Sequence, residues 1–273
     1  MKKTVFFVFI ILALLSVAVN AQTTSTKAKP APKSSNPYSK VEFQGFIYHS
    51  EKSFGFRYQS NGWNFFIHNA KILHERKTRF TEFEFGHIRH EKEVKSASYI
   101  AGGGPTPPKS YVFGKQYSLY NIHYRIGFSH LIAYKSNRNG VAVSFNYSAG
   151  PSLGILKPYY LILYYNDSNN GVNEGSLKTE KFSEANQALF LDPNHIYGYA
   201  GFFKGLFQPR FAIGVTSKIG LNFDFSSYFD RIKAIEVGLM NDTYINKTPI
   251  MIYTTNHKIW TSFYMSMQFG SRK

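Results

Sequence analysis

The sequence lacks three features that would define common protein classes. It contains no cysteine in 273 residues, which excludes a disulfide framework and a lipid-anchored lipoprotein. After residue 21 it has no apolar run of the ~20 residues that a membrane-spanning helix needs. Helical periodicity is scarce, and the only helix predicted is a short one around 182–190, with Ser183 as its candidate cap. Membrane-spanning helices after residue 21 are therefore excluded.

The one long apolar run lies at the N-terminus. It extends from Val5 to Val19, follows Lys2 and Lys3, and precedes small or modest residues up to Ala21. This pattern predicts a secretory signal peptide over 1–21, cleaved after Ala21. The alternative is a membrane anchor, for which the run is short.

Acidic residues are half as numerous as basic ones, 16 Asp+Glu against 32 Lys+Arg. Such a surplus of positive charge is typical of proteins that bind nucleic acid or an anionic membrane surface. Because a secretory signal argues against nucleic acid, we expect lipopolysaccharide or phospholipid, or an acidic protein partner.

Residues 22–40 are rich in Pro, Ser and Thr and contain four lysines without an acid. Such a segment is too polar to pack a core, and it predicts a flexible periplasmic linker. Its lysines are candidate contacts for an acidic partner, with a plain spacer as the alternative. The candidates are Lys27, Lys29 and Lys33.

Aromatic residues are abundant, with 26 Phe and 20 Tyr, and apolar residues alternate with polar ones over long stretches. In 213–225 only Ser217 interrupts the alternation, and a strand of this length is about twice the usual 5–6 residues. Period-two alternation indicates strands with two different faces. The strands are predicted at 41–49, 53–60, 63–75, 79–90, 113–135, 140–154, 157–166, 208–226, 231–245 and 257–269.

Long strands with one continuous apolar face are typical of membrane barrels, in which the sheet must close because lipid offers the backbone no hydrogen bonds. We therefore predict an all-β fold over 41–273, a transmembrane antiparallel up-and-down barrel of about ten strands, with eight to twelve allowed. A secreted soluble sandwich or lipocalin-like barrel is the alternative. Ten strands would place 167–207 outside the cell and 91–112 in the periplasm.

The polar faces of these strands predict the contents of the barrel lumen. Their charges have both signs, so we expect a plugged lumen in which the charges pair, because an unpaired buried charge is costly. A small-solute pore is the alternative. The predicted network comprises Glu82, Glu84, His123, Arg125, Lys218, Asp224 and Glu236, with Asp242 on the same inward face.

Segment 167–207 carries more apolar side chains than a solvated loop normally exposes. We interpret it as covering the barrel mouth and contacting a partner. The candidate partner residues are Phe190, Phe202, Phe203 and Phe207.

No chemical signature points to an enzyme. The chain has no G-x-S-x-G motif, and His123 and Ser129 are six residues apart on one strand, too far for a direct pair. We expect a non-enzymatic protein without a cofactor or metal, and a lipid-modifying barrel enzyme is the weaker alternative.

Three stretches carry a resemblance to a known group: LGILKPYYL (153–161), GFFKGL (201–206) and DRIKAIEVG (230–238). Together with the predicted signal peptide and the basic, proline-containing segment 22–40, these stretches resemble outer-membrane barrel proteins of the Bacteroidota type. The resemblance covers most of 41–273. The resemblance implies a location in the outer membrane of a Gram-negative bacterium. It also implies an accessory subunit of a larger complex for barrel assembly, protein secretion or nutrient uptake, with other outer-membrane proteins or lipoproteins as partners.

Overall fold

A computed structural model describes residues 48–98, 108–135, 140–167, 174–226 and 231–273. The signal peptide predicted at 1–21, the linker predicted at 22–40 and Lys27, Lys29 and Lys33 lie outside these ranges. In chain order the described strands are β1 (Ser50–Gln59), β2 (Gly62–His74), β3 (Lys77–Ile88), β4 (Lys95–Ser96), β5 (Tyr111–Val112), β6 (Tyr117–Ala133), β7 (Ala142–Pro158), β8 (Tyr160–Asp167), β9 (Glu174–Lys181), β10 (Ile196–Tyr199), β11 (Arg210–Asp224), β12 (Arg231–Tyr244) and β13 (Ile259–Arg272).

Within the described ranges, eight of these strands form one closed antiparallel barrel, in the order β1-β13-β12-β11-β7-β6-β3-β2. Each strand pairs with the preceding and following barrel strand, and β1 closes the sheet on β13. The predicted all-β up-and-down barrel is confirmed. Its strand number is eight, at the lower limit of the predicted range and below the ten assigned from the sequence.

Two of the ten predicted strands are not among the eight described barrel strands, for separate reasons. The segment predicted at 41–49 falls almost entirely outside the described residues, and no strand is present at Tyr48 or His49. The segment predicted at 157–166 does contain a strand, β8, but β8 pairs with β9 and β10 in a separate three-stranded sheet. The chain leaves the barrel after Pro158, the last residue of β7 paired with β6.

The alternation read from 213–225 is reproduced in β11. Ile213, Val215 and Ile219 are exposed on the outer face, and Gly214, Thr216 and Lys218 are buried on the inner face. Ser217 also lies on the outer face. It therefore interrupts the apolar pattern without changing the pleat.

The connections differ greatly in length at the two ends of the barrel. One end, here called the turn end, holds the start of β1, the end of β13 and the short connections 75–76, 134–141 and 225–230. The opposite end, here called the loop end, holds the hairpin turn 60–61 and the long connections 89–116, 159–209 and 245–258. The expectation that 91–112 lies opposite 167–207 was wrong. Because β8 is not a barrel strand, both segments lie at the loop end.

A small folded unit, here called the cap, covers the loop end and consists of β8, β9, β10 and the segment between β9 and β10. That segment contains a short helix, α1 (Gln187–Phe190), between 3₁₀ turns at Glu184–Asn186 and Pro193–His195. Leu161, Leu163, Phe190 and Ile196 are fully buried in the cap. None of the described helices is long and apolar enough to cross a membrane.

Apolar packing continues from the cap into the loop end of the barrel interior. Ile88 and Leu119 are register partners, as are Leu119 and Leu156, and all three are buried inward-facing residues. They belong to the same buried cluster as Leu161 and Phe190 of the cap. An apolar layer therefore closes the loop end above the polar interior.

Candidate functional site

The polar interior is assembled by strand register. Glu82 and Glu84 of β3 face Arg125 and His123 of β6 as direct register partners. Since these positions are two residues apart on each strand, all four side chains point inward. Lys218 of β11 and Glu236 of β12 face the same interior, and all six are buried.

Glu82 is the centre of this network. Its carboxylate accepts hydrogen bonds at 3.2 Å from Arg57, 2.7 Å from Arg125 Nη2 and 2.9 Å from Lys218 Nζ. His68 Nδ1 lies 3.7 Å from the same carboxylate. Three cations from three different strands therefore converge on one buried anion.

Glu84 forms a second centre next to it. Asn64, Arg57 and Arg125 contact its carboxylate, and His123 Nδ1 lies 3.2 Å from Glu84 Oε1. The other imidazole nitrogen of His123 lies 3.3 Å from Asp242 Oδ1 on β12. His123 thus bridges two carboxylates from opposite parts of the wall.

Glu236 connects the network to the turn-end side of the interior. Lys218 Nζ lies 3.1 Å from Glu236 Oε1, and Asn146 Nδ2 donates to Glu236 Oε2 at 2.7 Å. The hydroxyl of Tyr264 also donates to this carboxylate. Because each carboxylate has several donors, the charges are held in a connected set that spans the lumen.

Asp224 does not join this set. It lies at the turn end, where Arg272 Nη2 and Lys135 Nζ contact it at 2.8 and 3.2 Å. Arg272 also contacts Glu51 at 2.6 Å. These groups line part of an open cavity of about 370 Å³ at the turn end. The placement of Asp224 in the lumen network is thus corrected, because its position at the end of β11 keeps it away from the central charges.

The sequence reasoning missed Arg57, Asn64, Asn146 and Tyr264. Arg57 had a detectable signal, since it stands between Phe56 and Tyr58, which are exposed on the outer face. Applying the same alternation to β1 places Arg57 inward. The others gave no separate signal, because an uncharged polar residue or a tyrosine on an inward face is common in any barrel.

The predicted partner residues divide into buried and exposed ones. Phe190 is fully buried and packs edge-on against Phe182 at a centroid distance of 5.6 Å. Its assignment to a partner surface was therefore wrong, since it supports the cap core. Phe202, Phe203 and Phe207 are exposed in the connection between β10 and β11.

In the described strands, His123 and Ser129 do not form a nucleophile–base pair. His123 lies next to Glu84 and Asp242, and Ser129 pairs by register with Asn146 and Thr78 at the turn-end side. In the described ranges, no group of three or more His, Asp or Glu side chains could hold a metal ion.

A second buried ion pair holds the loop-end connections together. Lys115 Nζ lies 2.6 Å from Glu93 Oε2 and 5.6 Å from the centroid of the Tyr159 ring. Burial lowers the pKa of Lys115, and the Glu93 carboxylate opposes that shift. Burial also raises the pKa of Tyr159, whose hydroxyl accepts the Val112 N–H at 3.0 Å.

No protein-family model and no curated protein matches the chain. Among solved structures, it is similar to the attachment invasion locus protein Ail of Yersinia pestis, in complex with the heparin analogue sucrose octasulfate. That match has 10% identity and a TM-score of 0.39, and it covers 84% of this chain and 100% of that chain.

Two other similar structures are Neisserial surface protein A and the N-terminal β-barrel domain of Pseudomonas aeruginosa OprF. The first has 7% identity, a TM-score of 0.35 and coverage of 83% and 97%. The second has 7% identity, a TM-score of 0.33 and coverage of 83% and 98%. These values are too low to support a functional statement, so the barrel assignment rests on the strand pairing of this chain.

Proposed function

We propose that the protein is an integral outer-membrane barrel with a plugged lumen that acts as a non-enzymatic structural or accessory subunit of a larger outer-membrane complex. The observation that carries this proposal is that the barrel has an apolar outer face and a charged interior, the reverse of a soluble protein. Exposed large apolar side chains occur on the outer face of all eight barrel strands, whereas the charges of Arg57, Arg125 and Lys218 are buried inside. A soluble barrel would leave an unusually large apolar surface in water.

The length of the outer band supports a membrane location. Aromatic contacts cluster at the loop end, among Trp63, His87 and Tyr120, and again near the turn end, between Phe128 and Tyr147. Tyr120 and Phe128 are eight residues apart on β6, which is about 26 Å along the strand at ~3.3 Å per residue. At the usual tilt of ~35–45° this is about 20 Å along the barrel axis, which fits within the apolar band, ~25 Å tall, that lies between two aromatic girdles.

The topology also supports this location. Bacterial outer-membrane barrels have an even strand number, short periplasmic turns and longer extracellular loops. We accordingly orient the turn end toward the periplasm and the loop end with its cap toward the cell exterior.

The interior argues against a pore. An eight-stranded barrel is just wide enough to be filled by its own side chains. Here the ion pairs around Glu82 cross the lumen, and the apolar layer at Leu119 lies above them. We expect no channel current in planar bilayers from the purified protein. Discrete single-channel openings would contradict the plugged lumen.

The membrane location is tested by fractionation of cells that express the full chain. We expect the protein in the outer-membrane fraction, resistant to alkaline extraction, and with altered gel mobility when the sample is not heated. Recovery in the buffer-soluble fraction would contradict the proposal.

The subunit role is tested separately, by in-cell cross-linking followed by extraction in mild detergent. We expect a species of defined size, much larger than the 31.2 kDa chain, that contains other outer-membrane proteins in fixed proportion. A barrel that migrates only as a monomer would remove the accessory role and leave the membrane location intact.

A further inference from the structure

The connection between β10 and β11 folds back onto the outer wall of the barrel. We call residues 200–209 the flap. The Phe202 ring meets the Tyr120 ring edge-on at 6.3 Å, and Lys157 Nζ lies 4.5 Å from the Phe202 centroid. Tyr120 occupies an outward position of β6, and Lys157 occupies one of β7. The flap therefore extends the outer surface at the loop end.

The backbone of the flap is shaped by two glycines. Gly201 and Gly205 have φ values of 104° and 79°, which side-chain-bearing residues rarely adopt. A Cβ at Gly205 would also approach the Tyr160 ring at 2.7 Å. The turn at Gly205 lies between Phe203 and Phe207. Gln208 holds it against β8 and β9 by accepting hydrogen bonds from Tyr160 and Lys181, at 3.1 and 3.0 Å.

The apolar side chains of the flap point away from the protein. Phe203 is 81% exposed and Phe207 is 94% exposed, although they adjoin the half-exposed Phe202. Side chains of this size are rarely left in water in a group. Their surface is continuous with the apolar wall, since Phe211 follows at the start of β11 and is also exposed.

Two lysines lie beside these rings along the chain or through a direct contact. Lys204 follows Phe203 within the flap, and Lys181 of β9 donates a hydrogen bond to Gln208, which follows Phe207. The sequence has no Asp or Glu between Asp192 and Asp224. Within the described ranges, neither of these two lysines forms an ion pair. Exposed aromatic rings beside unpaired cations match a lipid that has acyl chains below an anionic headgroup.

We propose that the flap is a binding site for a phosphate-bearing membrane lipid in the leaflet at the loop end. Phe203 and Phe207 insert among the acyl chains, and Lys204 and Lys181 bind the phosphate. This inference rests on the proposed membrane location. It assigns the exposed phenylalanines of the flap to lipid rather than to a protein partner.

The absence of native cysteine allows a site-specific test of insertion. The full chain is reconstituted in vesicles as four single-cysteine variants carrying an environment-sensitive label: Phe203→Cys, Phe207→Cys, Ile213→Cys and Asn194→Cys. Ile213 is the control on the barrel wall and Asn194 the exposed control in the cap. We expect lipid-borne quenchers to reach the labels at 203, 207 and 213 but not at 194.

The controls separate the two proposals. A quenched label at 213 with unquenched labels at 203 and 207 would overturn lipid insertion of the flap while the membrane barrel stands. An unquenched label at 213 would overturn the membrane location itself.

The phosphate contact is tested in detergent by titrating an anionic phospholipid against the purified barrel and counting bound lipids by native mass spectrometry. A cation near a membrane surface contributes ~1 kcal/mol, so each of Lys204→Gln and Lys181→Gln should weaken binding about fivefold. Lys247→Gln, in the connection between β12 and β13, removes the same charge and should leave binding unchanged.

Two further results would overturn the headgroup assignment. One is equal affinity for a diacylglycerol with the same acyl chains and no phosphate, which would leave insertion without phosphate recognition. The other is displacement of the lipid by inorganic phosphate alone, which would identify a free-anion site.

Discussion

Lys218 Nζ lies 2.9 Å from Glu82 Oε2, although the two residues stand on β11 and β3, which β6 and β7 separate in the barrel wall. The same ammonium group lies 3.1 Å from Glu236 on the neighbouring strand β12. One cation therefore connects carboxylates from distant parts of the wall and closes the lumen. The contact depends on barrel closure, because no local segment brings these residues together.

Replacing Lys218 should destabilise the barrel strongly. In Lys218→Met, Glu236 loses the only cation that contacts it in the described ranges, while Glu82 keeps Arg57 and Arg125. Removing one partner of a buried pair costs about 3–5 kcal/mol, because the remaining charge is uncompensated. Urea unfolding in lipid vesicles, followed by gel mobility, measures the loss. The double variant Lys218→Met with Glu236→Gln should recover part of it, and no recovery would contradict the pairing.

Gly220 should not tolerate alanine while Tyr264 is present. A Cβ at Gly220 would overlap the Tyr264 hydroxyl and lie 2.9 Å from the Val237 carbonyl oxygen. That hydroxyl donates to buried Glu236, so its displacement also weakens a hydrogen bond to a charge. Overpacking of this kind costs about 1–3 kcal/mol. In a double-mutant cycle, Gly220→Ala should cost less in a Tyr264→Phe background, and additive effects would argue against the steric contact.

The contact between the connections 89–116 and 245–258 should weaken in acid. His90 stacks on His257 with ring centroids 5.8 Å apart, and its Nδ1 accepts the Lys92 N–H at 3.2 Å. Burial lowers the pKa of His90, His257 and Lys92 lower it further, and Glu91 and Glu93 oppose the shift. When the contact opens, His90 binds a proton with the ordinary pKa of ~6.5, whereas in the packed contact its pKa is lower. The contact therefore has its full stability above about pH 6.5 and loses stability as the pH falls below that value.

Hydrogen exchange of residues 89–93 and 254–257 provides the measurement for this pH dependence. Exchange corrected for its intrinsic rate should be faster at about pH 5 than at neutral pH, because the histidine switches charge in this interval. His90→Gln should flatten the dependence. If the variant retains the full pH response, another group is responsible.

The inward-facing charges could be found from the sequence because strand alternation assigns each residue to a face independently of its partners. Glu82, His123 and Lys218 all occupy the predicted face. Which charges meet depends on strand order and on position along the barrel. For this reason Asp224 was grouped with Lys218, although it lies at the turn end of the same strand.

Strand number could not be read with the same accuracy, for a related reason. Leu161 and Leu163 alternate with less buried residues just as residues of a barrel strand do, but they pack inside the cap, in the same buried cluster as Phe190 and Ile196. Period two indicates a sheet with two different faces and does not identify the sheet. Counting β8 as a barrel strand also places 91–112 and 167–207 at opposite ends of the barrel, because each barrel strand between two connections inverts their relative placement.

A lysine on the outer wall should have a cost that depends on its depth in the membrane. Val215 and Phe211 both face outward on β11, but Phe211 lies at the loop end and Val215 nearer the middle, with Pro151 and Thr243 as register partners. A lysine at the bilayer midplane of a barrel costs about 2–4 kcal/mol, and about 0–1 kcal/mol near the interfaces. Val215→Lys should therefore be much less stable in vesicles than Phe211→Lys, with Val215→Ala and Phe211→Ala as references for the lost apolar side chains. Equal costs at the two depths would show that the outer wall does not face hydrocarbon, because water solvates a lysine equally at every height of the barrel.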